Sequence, residues 1–171
     1  MFSTQFWMLC SSTVLFMASF GMVMPELPGY LTMLGRSDLI GWIVGLFTVG
    51  AFFSRFVSGR IADHAGRRPV MLFGTWITTI AGFGYIGVGW IHGSDFMPWQ
   101  GMPLAIWFFL LLRLFHGMST GFRPTGTTAF LTDITPINRR GEALGYLGVA
   151  GNAGMAGGPA LGSWLTVEYG Y

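Results

Sequence analysis

The chain contains no lysine and carries little charge of either sign. All nine of its basic residues are arginine, and charged residues make up 9% of the 171 residues against 52% that are hydrophobic. A soluble domain of this length needs a far more polar surface. So few cations also leave no basic surface of the kind that nucleic acids require, which excludes nucleic acid as a partner.

Cysteine and histidine are scarce as well. Cys10 lies in the first apolar run with no second cysteine to pair with, so we expect it to be a small core residue. The three histidines, His64, His92 and His116, fall in different segments and show no metal-ligand spacing. There is no nucleophile signature, no pair of acids and no glycine loop after a strand, so we expect neither enzymatic activity nor a cofactor.

Long uncharged runs dominate what the sequence does contain. A helix needs about 20 residues to cross about 30 Å of hydrocarbon, and five runs qualify, the fourth of them interrupted by Arg113, Arg123 and Pro124. They cover about residues 6–23, 40–61, 70–91, 104–132 and 143–167. The first run exceeds the core of a signal peptide, and we expect Pro25 and Pro28 to end it near an interface. The sequence predicts an all-α, multi-pass integral membrane protein.

Arginines between the spans indicate the orientation of the chain. Cytoplasmic loops are enriched in Arg and Lys close to the span ends. The loops of opposite parity, 24–39 and 92–103, contain only Arg36. Five arginines lie around the loops after spans two and four: Arg60, Arg67, Arg68, Arg139 and Arg140. We therefore expect a cytoplasmic amino terminus and a location in the inner, or plasma, membrane of the cell.

Arg113 is the most unusual polar residue, because a charged guanidinium costs about 2.5 to 3.5 kcal/mol at the centre of a bilayer. Nine uncharged residues precede it in span four, which places it roughly 13 Å from the outer helix end. His116, Gly117 and Gly121 share its helical face, and we expect this face to be polar and open and to line a cavity. Its counter-charge is Glu26 at the end of span one, or comes with the substrate, or lies outside this chain.

Glycine accounts for 27 residues, and span five carries a stripe of five glycines. All five lie within about 120° of arc around the helix. They are Gly148, Gly151, Gly154, Gly158 and Gly162. In lipid such a flat face lets a neighbouring helix approach closely, so the stripe predicts either a static packing face or a sliding one. Pro159 lies within the stripe and permits a bend there.

Two stretches resemble signatures of the major facilitator superfamily of transporters. Residues 59–68, GRIADHAGRR, are similar to the G-x-x-x-D-[RK]-x-G-R-[RK] signature of the loop between helices two and three, with His64 in place of the usual cation. The matching residues are Gly59, Asp63, Gly66, Arg67 and Arg68. Arg113, followed by Gly117 and Gly121, is similar to the helix-four signature of the same superfamily.

Two further stretches strengthen the resemblance. Residues 133–141 resemble the loop between helices four and five, with Asp133, Pro136, Arg139, Arg140 and Gly141 as the matching positions. The spacing of the next group is similar to the helix-five signature of the antiporters, chiefly drug and metabolite exporters. That group consists of Gly145, Gly154, Gly158, Pro159 and Gly162. The four stretches follow one another in the order expected for the superfamily.

The resemblance implies a fold of twelve or more helices in two six-helix halves that rock about a central cavity. Residues 1–171 hold the first five helices of the amino-terminal half, so we expect helix six and the carboxy-terminal half to be missing. The resemblance also implies that Asp63, with Arg67 or Arg68, forms a cytoplasmic latch against a helix of the second half. It further implies that Arg113 helps an acid to release its proton. His64 predicts a pH-sensitive latch.

These features favour transmembrane transport by alternating access, and the helix-five signature favours proton-coupled efflux of a drug or metabolite. The expected partners are the lipid bilayer, protons, a small-molecule substrate and the missing carboxy-terminal half of the same transporter. Two alternatives stay open. One is proton-coupled symport uptake of a sugar or other metabolite, and the other is a non-transporting membrane scaffold or partner subunit.

Overall fold

The computed structural model describes residues 2–91 and 104–169 of the chain. In that part of the chain, all regular structure is helical: six α-helices and two 3₁₀ turns, Ser37–Leu39 and Ile137–Arg139. The α-helices are α1 (Thr4–Val23), α2 (Glu26–Met33), α3 (Ile40–Ala65), α4 (Arg67–Ile91), α5 (Leu104–Ile134) and α6 (Arg140–Tyr169). The all-α prediction is confirmed. The loop predicted at 92–103, with His92, lies outside the described residues.

Four helical stretches have the length and composition to cross a membrane. They are Thr4–Met33, Ser37–Ala65, Arg67–Val88 and Leu104–Ile134, and they correspond to the first four predicted spans. The fifth predicted span is α6, whose 30 residues are long enough to cross but are less apolar because glycine is so frequent. Large apolar side chains project from these helices, with Phe53 64% and Phe83 71% exposed. Hydrocarbon solvates such side chains and water does not.

The prolines after the first span break the helix for only two residues. α1 ends at Val23, as predicted, but a second helix begins at Glu26 and runs to Met33. The expectation that the prolines end the first helix is met at Val23, whereas the second helix beyond it was not predicted. Pro25 precedes α2 and Pro28 lies in its first turn, where backbone N–H groups have no acceptor within the helix and a missing donor costs nothing.

The internal prolines do not break their helices either. α5 continues through Pro124 and α6 through Pro159, so the predicted interruption of span four is not observed. Helices inside membranes tolerate proline because neighbouring helices and local adjustments satisfy the freed backbone groups. α5 and α6 thus each form one continuous helix.

The chain divides into two units. Met1–Ile40 and Thr128–Tyr171 form one unit, built mainly on α1 and α6, and Gly41–Thr127 form the other. The second unit contains nearly all of α3, all of the described part of α4, and α5 up to Thr127. We refer to them as the α1–α6 unit and the α3–α5 unit, and each is described by itself.

Glycines bring α6 into backbone contact with α1 in the α1–α6 unit. A Cβ atom built on Gly154 would overlap the carbonyl oxygen of Val14, and one built on Gly158 would lie 2.5 Å from that of Ala18. Gly162 repeats this relation one turn later, against Met22. Because apolar burial gives no drive for association in lipid, such close approach supplies the dispersion contacts that hold the pair.

The glycine stripe is therefore a packing face over its second half. Gly154, Gly158 and Gly162 all meet the backbone of α1, whereas Gly148 faces open space. Backbone contact describes these three positions, and the choice between a static and a sliding face stays a prediction. The partner helix, α1, contributes its own glycine at Gly21, whose Cβ position lies 3.3 Å from the Cα atom of Gly158.

In the α3–α5 unit, glycines set the separation of α5 from both neighbours. A Cβ atom on Gly117 would overlap the carbonyl of Phe47 in α3, and one on Gly74 of α4 would lie 2.6 Å from the backbone nitrogen of Arg123. Ser58 of α3 adds a hydrogen bond, since its Oγ donates to the carbonyl oxygen of Gly121 over 3.0 Å. α5 is thus enclosed by α3 on one side and α4 on another.

Substituting Gly154 by alanine tests the α1–α6 contact. The added methyl group would overlap the carbonyl of Val14, and we expect a cost of about 1 to 3 kcal/mol and a lower melting temperature in detergent. The matched control is Gly157→Ala in the same helix, because Gly157 faces open space and gains about 0.5 to 1 kcal/mol of helix propensity. Equal melting temperatures for the two variants would contradict the packing described above.

Candidate functional site

Arg113 lies at the centre of the α3–α5 unit with 1% of its surface exposed. Its Nε donates to the carbonyl oxygen of Ile43 in α3 over 3.1 Å, and its Nη1 donates to the hydroxyl oxygen of Tyr85 in α4 over 3.4 Å. The guanidinium carbon lies 4.6 Å from the centre of the Phe47 ring, within the range of a cation–π contact. These three contacts, with a carbonyl group, a hydroxyl group and a ring, place a permanent cation within a transmembrane unit.

His116 extends this arrangement by one more hydrogen bond. Its Nδ1 lies 3.2 Å from the hydroxyl oxygen of Tyr85, and only 3% of the residue is exposed. The edge of its ring meets the face of Phe47, with the ring centres 5.8 Å apart and the planes at 86°. Arg113, Tyr85 and His116 therefore form one hydrogen-bonded chain, which we call the buried cluster.

The chemistry available to the buried cluster follows from its fixed charge. A guanidinium does not deprotonate at physiological pH, and in a medium of low dielectric constant it strongly favours any anion that approaches. Polar and ionisable groups placed inside membrane helices are costly, and they commonly mark pathways for substrates or protons. The cluster can therefore stabilise the ionised form of an acid or an anionic group of a substrate.

Gly117 and Gly121 are two of the four residues predicted to share an open, cavity-lining face of α5, and they do not face open space. Arg113 and His116 are brought together in the buried cluster, whereas Gly117 and Gly121 pack against Phe47 and Ser54 of α3. The expectation that this face is open is therefore wrong at Gly117 and Gly121. The absence of a side chain at each glycine lets the α3 backbone close over the helix.

Sequence reasoning did not find Tyr85, Phe47 or the carbonyl group of Ile43. The available signal was weak, because a single tyrosine in the apolar run of α4 and a phenylalanine in α3 are ordinary residues of a membrane helix. Only the packing of three helices shows that these groups converge on one guanidinium.

Comparison with known proteins now decides the family. Residues 9–171 match the family model described as Major Facilitator Superfamily. The chain belongs to the major facilitator superfamily. It is therefore a multi-pass integral membrane protein, as predicted, and the resemblance drawn from the signatures is confirmed.

The chain is also similar to curated members of this superfamily. It is 33% identical over 159 residues to Multidrug resistance protein MdtG from Escherichia coli O1:K1 / APEC, from Escherichia coli O139:H28 (strain E24377A / ETEC) and from Escherichia coli (strain K12 / DH10B). The aligned region covers 90% of this chain and 35% of each relative. The chain thus spans about a third of the length of these relatives.

The superfamily signature at residues 59–68 forms a very tight turn between α3 and α4. Gly66 is the single residue between the two helices, and its φ angle is 93°. Residues with a side chain disfavour this conformation, whereas glycine adopts it readily. Arg67 donates from Nη1 to the carbonyl oxygen of Ala62 over 2.8 Å. His64 Nδ1 lies 2.8 Å from the carbonyl oxygen of Arg60. Arg67 thus satisfies a carbonyl group in the last turn of α3, where carbonyls lack helical donors.

Asp63 presents its carboxylate outward at this turn. Its side chain is 76% exposed and lies 3.9 Å from Nη1 of Arg67, so the pair is long, solvated and weak. Arg68 is exposed as well, and Gly59 faces open space one helical turn earlier. The signature residues thus surround a one-residue connection between α3 and α4, and the role of Asp63 as a latch stays a prediction.

The loop between α5 and α6 holds the second group of arginines. Nε and Nη2 of Arg139 donate to the two carboxylate oxygens of Glu142 over 2.9 and 3.0 Å, and its guanidinium carbon lies 4.2 Å from the ring centre of Phe2. Arg140 donates from Nε to the carbonyl oxygen of Thr135 over 3.4 Å. The sequence did not indicate Glu142 or Phe2 as partners.

The other residues predicted in this loop have backbone positions that suit a helix–helix connection. Asp133 lies in the last turn of α5, Pro136 directly precedes the 3₁₀ turn Ile137–Arg139, and Gly141 lies in the first turn of α6. Gly145, the first position of the helix-five signature, faces open space. The side chain of Pro159 lies beside Gly21, 3.2 Å from the Cβ position built there.

Glu26 has a partner within the α1–α6 unit. The hydroxyl group of Ser163 in α6 donates to Oε1 of Glu26 over 3.2 Å. Arg113 belongs to the α3–α5 unit, and its pairing with Glu26 stays a prediction. Arg123, the second buried arginine of α5 at 6% exposure, donates from Nε to the hydroxyl oxygen of Thr75 over 3.1 Å.

Replacing Gly66 by alanine tests the tight turn. A side chain at a positive φ angle costs about 1 to 2 kcal/mol, and we expect a lower melting temperature of the full-length protein. Gly59→Ala is the matched control, because Gly59 lies within α3 in open space. The assignment of Gly66 as a conformational requirement fails if G66A melts at the same temperature as G59A.

Proposed function

We propose that this chain is part of a transporter that works by alternating access and exports small molecules in exchange for protons. The observation that carries the proposal is the buried cluster, in which Arg113 is 1% exposed and hydrogen-bonded to groups from two neighbouring helices. Membership of the superfamily and similarity to a multidrug resistance protein support it. The remaining helix of the first half and a second half complete the proposed transporter.

Arg113 supplies the fixed charge that exchange needs. When an acid approaches the guanidinium, its ionised form is favoured and its proton is released. When the acid moves away in the other conformation, it takes up a proton again. A charge that never titrates is suited to this task, since the state of the site then depends on the position of the acid alone. Three sources of that acid stay open, namely Glu26, a group of the substrate and a residue outside this chain.

The tight turn between α3 and α4 is proposed to form part of the cytoplasmic gate. Asp63 is exposed at the end of α3, where its negative charge can cap the amino terminus of a helix from the second half and contribute about 0.3 to 1 kcal/mol to the closed state. Arg67 and Arg68 supply cations in the same turn. The glycine contacts between α1 and α6 suit an element that moves as one body.

Reconstitution tests the proposed exchange directly. The full-length native protein is placed in liposomes that contain a pH-sensitive dye, and a panel of lipophilic cationic, neutral and anionic compounds is added from outside. We expect at least one compound to move against the direction of the protons, and a protonophore to abolish its accumulation. Liposomes without protein are the control.

The remaining outcomes of that assay reject the proposal in different ways. Movement of substrate and protons in the same direction identifies a symporter. Absence of flux for every compound, from protein that is folded and inserted, supports a scaffold function. The direction of the proton flux relative to the substrate flux, or the absence of both, distinguishes these results.

Arg113→Lys is expected to lower transport at least about tenfold while the protein stays folded. Lysine keeps the charge, but its single ammonium group cannot reach both the Ile43 carbonyl and the Tyr85 hydroxyl with the planar geometry of a guanidinium. The control is Arg55→Lys, because Arg55 is exposed on α3 and lies outside the buried cluster. Transport rates and melting temperatures are measured for both; wild-type transport by R113K would exclude a specific role for the guanidinium.

A further inference from the structure

We propose that Tyr85 is a positioning residue that fixes the guanidinium of Arg113 by using His116 as a neutral hydrogen-bond acceptor. The proposal rests on the transport function proposed above and concerns the same buried cluster. It assigns a role to two residues, Tyr85 and His116, neither of which belongs to the sequence signatures. It also specifies what His116 does, which is to accept a hydrogen bond rather than to carry a proton.

The direction of the hydrogen bonds follows from the inventory of donors. Arg113 has donors only, so the hydroxyl oxygen of Tyr85, 3.4 Å from Nη1, must accept. A phenol has a single proton, and that proton is then left for His116 Nδ1 at 3.2 Å. Nδ1 can accept it only if it carries no proton of its own. The proposal therefore places the His116 proton on Nε2; in the other tautomer Nδ1–H would donate to the phenol oxygen, and the nitrogen resonances described below distinguish the two.

Tyr85 links the guanidinium to α4, whereas the carbonyl of Ile43 and the ring of Phe47 both belong to α3. The position of the hydroxyl group is itself fixed by packing, since the Tyr85 ring lies 5.8 Å from the rings of Phe109 and His116. Removing the hydroxyl group alone leaves these ring contacts in place. A loss of function in that variant would then report the hydrogen bonds and not the packing.

A second proton on His116 would oppose this arrangement. It would place an N–H group at Nδ1 against an oxygen that already accepts from Arg113, and it would add a second cation to a buried site. The groups facing the imidazole are Arg113 on its own helix, Tyr85 on α4 and the uncharged ring of Phe47 on α3. None of these three contacts supplies a negative charge to stabilise an imidazolium, so the cluster favours the neutral ring.

Substitutions in the full-length protein separate the acceptor role from a proton-carrying role. Tyr85→Phe and His116→Leu each break the chain, and we expect turnover at saturating substrate to fall about tenfold in both, the scale of one lost hydrogen bond to a charged group. His116→Gln supplies an amide oxygen that can accept from Tyr85 but cannot titrate near neutral pH. We expect it to restore most of the turnover with the wild-type pH profile.

Tyr146→Phe is the matched control for loss of a hydroxyl group. Tyr146 lies in α6 with 44% of its surface exposed, and its ring packs edge-on to Phe6 and Trp7. Turnover in this variant should equal that of the wild type. Equal turnover in Y85F and Y146F would overturn the proposal, as would a His116→Gln variant that turns over as slowly as His116→Leu or loses its dependence on pH.

A spectroscopic measurement tests the positioning independently of transport. The protein is labelled with ¹⁵N-histidine in lipid, and His116→Gln identifies the signals of His116. We expect a neutral ring protonated at Nε2 whose Nδ1 resonance shifts in Y85F and stays unchanged in Y146F. If this holds while no substrate flux is found, the transport function fails and the positioning stands. If flux is found and the Nδ1 resonance is unaffected by Y85F, the positioning is overturned and the transport function stands.

Discussion

The burial of one permanent positive charge constrains the whole α3–α5 unit. A guanidinium cannot lose its proton and cannot face hydrocarbon without a large cost, so α5 must be enclosed on the side that carries Arg113. α3 contributes a backbone carbonyl and an aromatic ring, and α4 contributes a hydroxyl group. The three helices can supply these groups only if they lie close together. The glycines at the helix contacts allow this short separation.

In both units, glycine allows neighbouring helices to approach closely, for the same physical reason. Lipid tails are as apolar as leucine, so burying apolar surface between helices gains nothing, and association depends on dispersion and hydrogen bonds at short range. Gly117 and Gly74 bring the backbones of α3 and α4 against α5. Gly154 and Gly158 do the same between α6 and α1. The glycines at these helix contacts are thus a consequence of packing without a hydrophobic effect, whereas others, such as Gly41 and Gly157, face open space.

Much of the fold was predictable because the bilayer imposes strict rules on a sequence. The uncharged runs gave the spans, with α1 ending at Val23 and α3 beginning at Ile40 as expected. α2 was missed because proline is ambiguous: it ends one helix and is equally suited to the first turn of the next. The partners of Arg113 were missed because Tyr85 and Phe47 are 28 and 66 residues away in the chain, on other helices. No periodicity within α5 contains that information.

Composition and local pattern by themselves determined that the chain spans a membrane, that Arg113 lies within it, and that two membrane spans meet at residues 59–68. These properties depend on residues that are neighbours in the sequence, or on the cost of transferring each residue into lipid. Only the tertiary structure decided that Gly117 and Gly121 pack against α3 instead of lining an open face. It also decided that a tyrosine joins Arg113 to His116, because hydrogen bonds between helices depend on how each helix is rotated about its axis, and the packing of all three fixes that rotation.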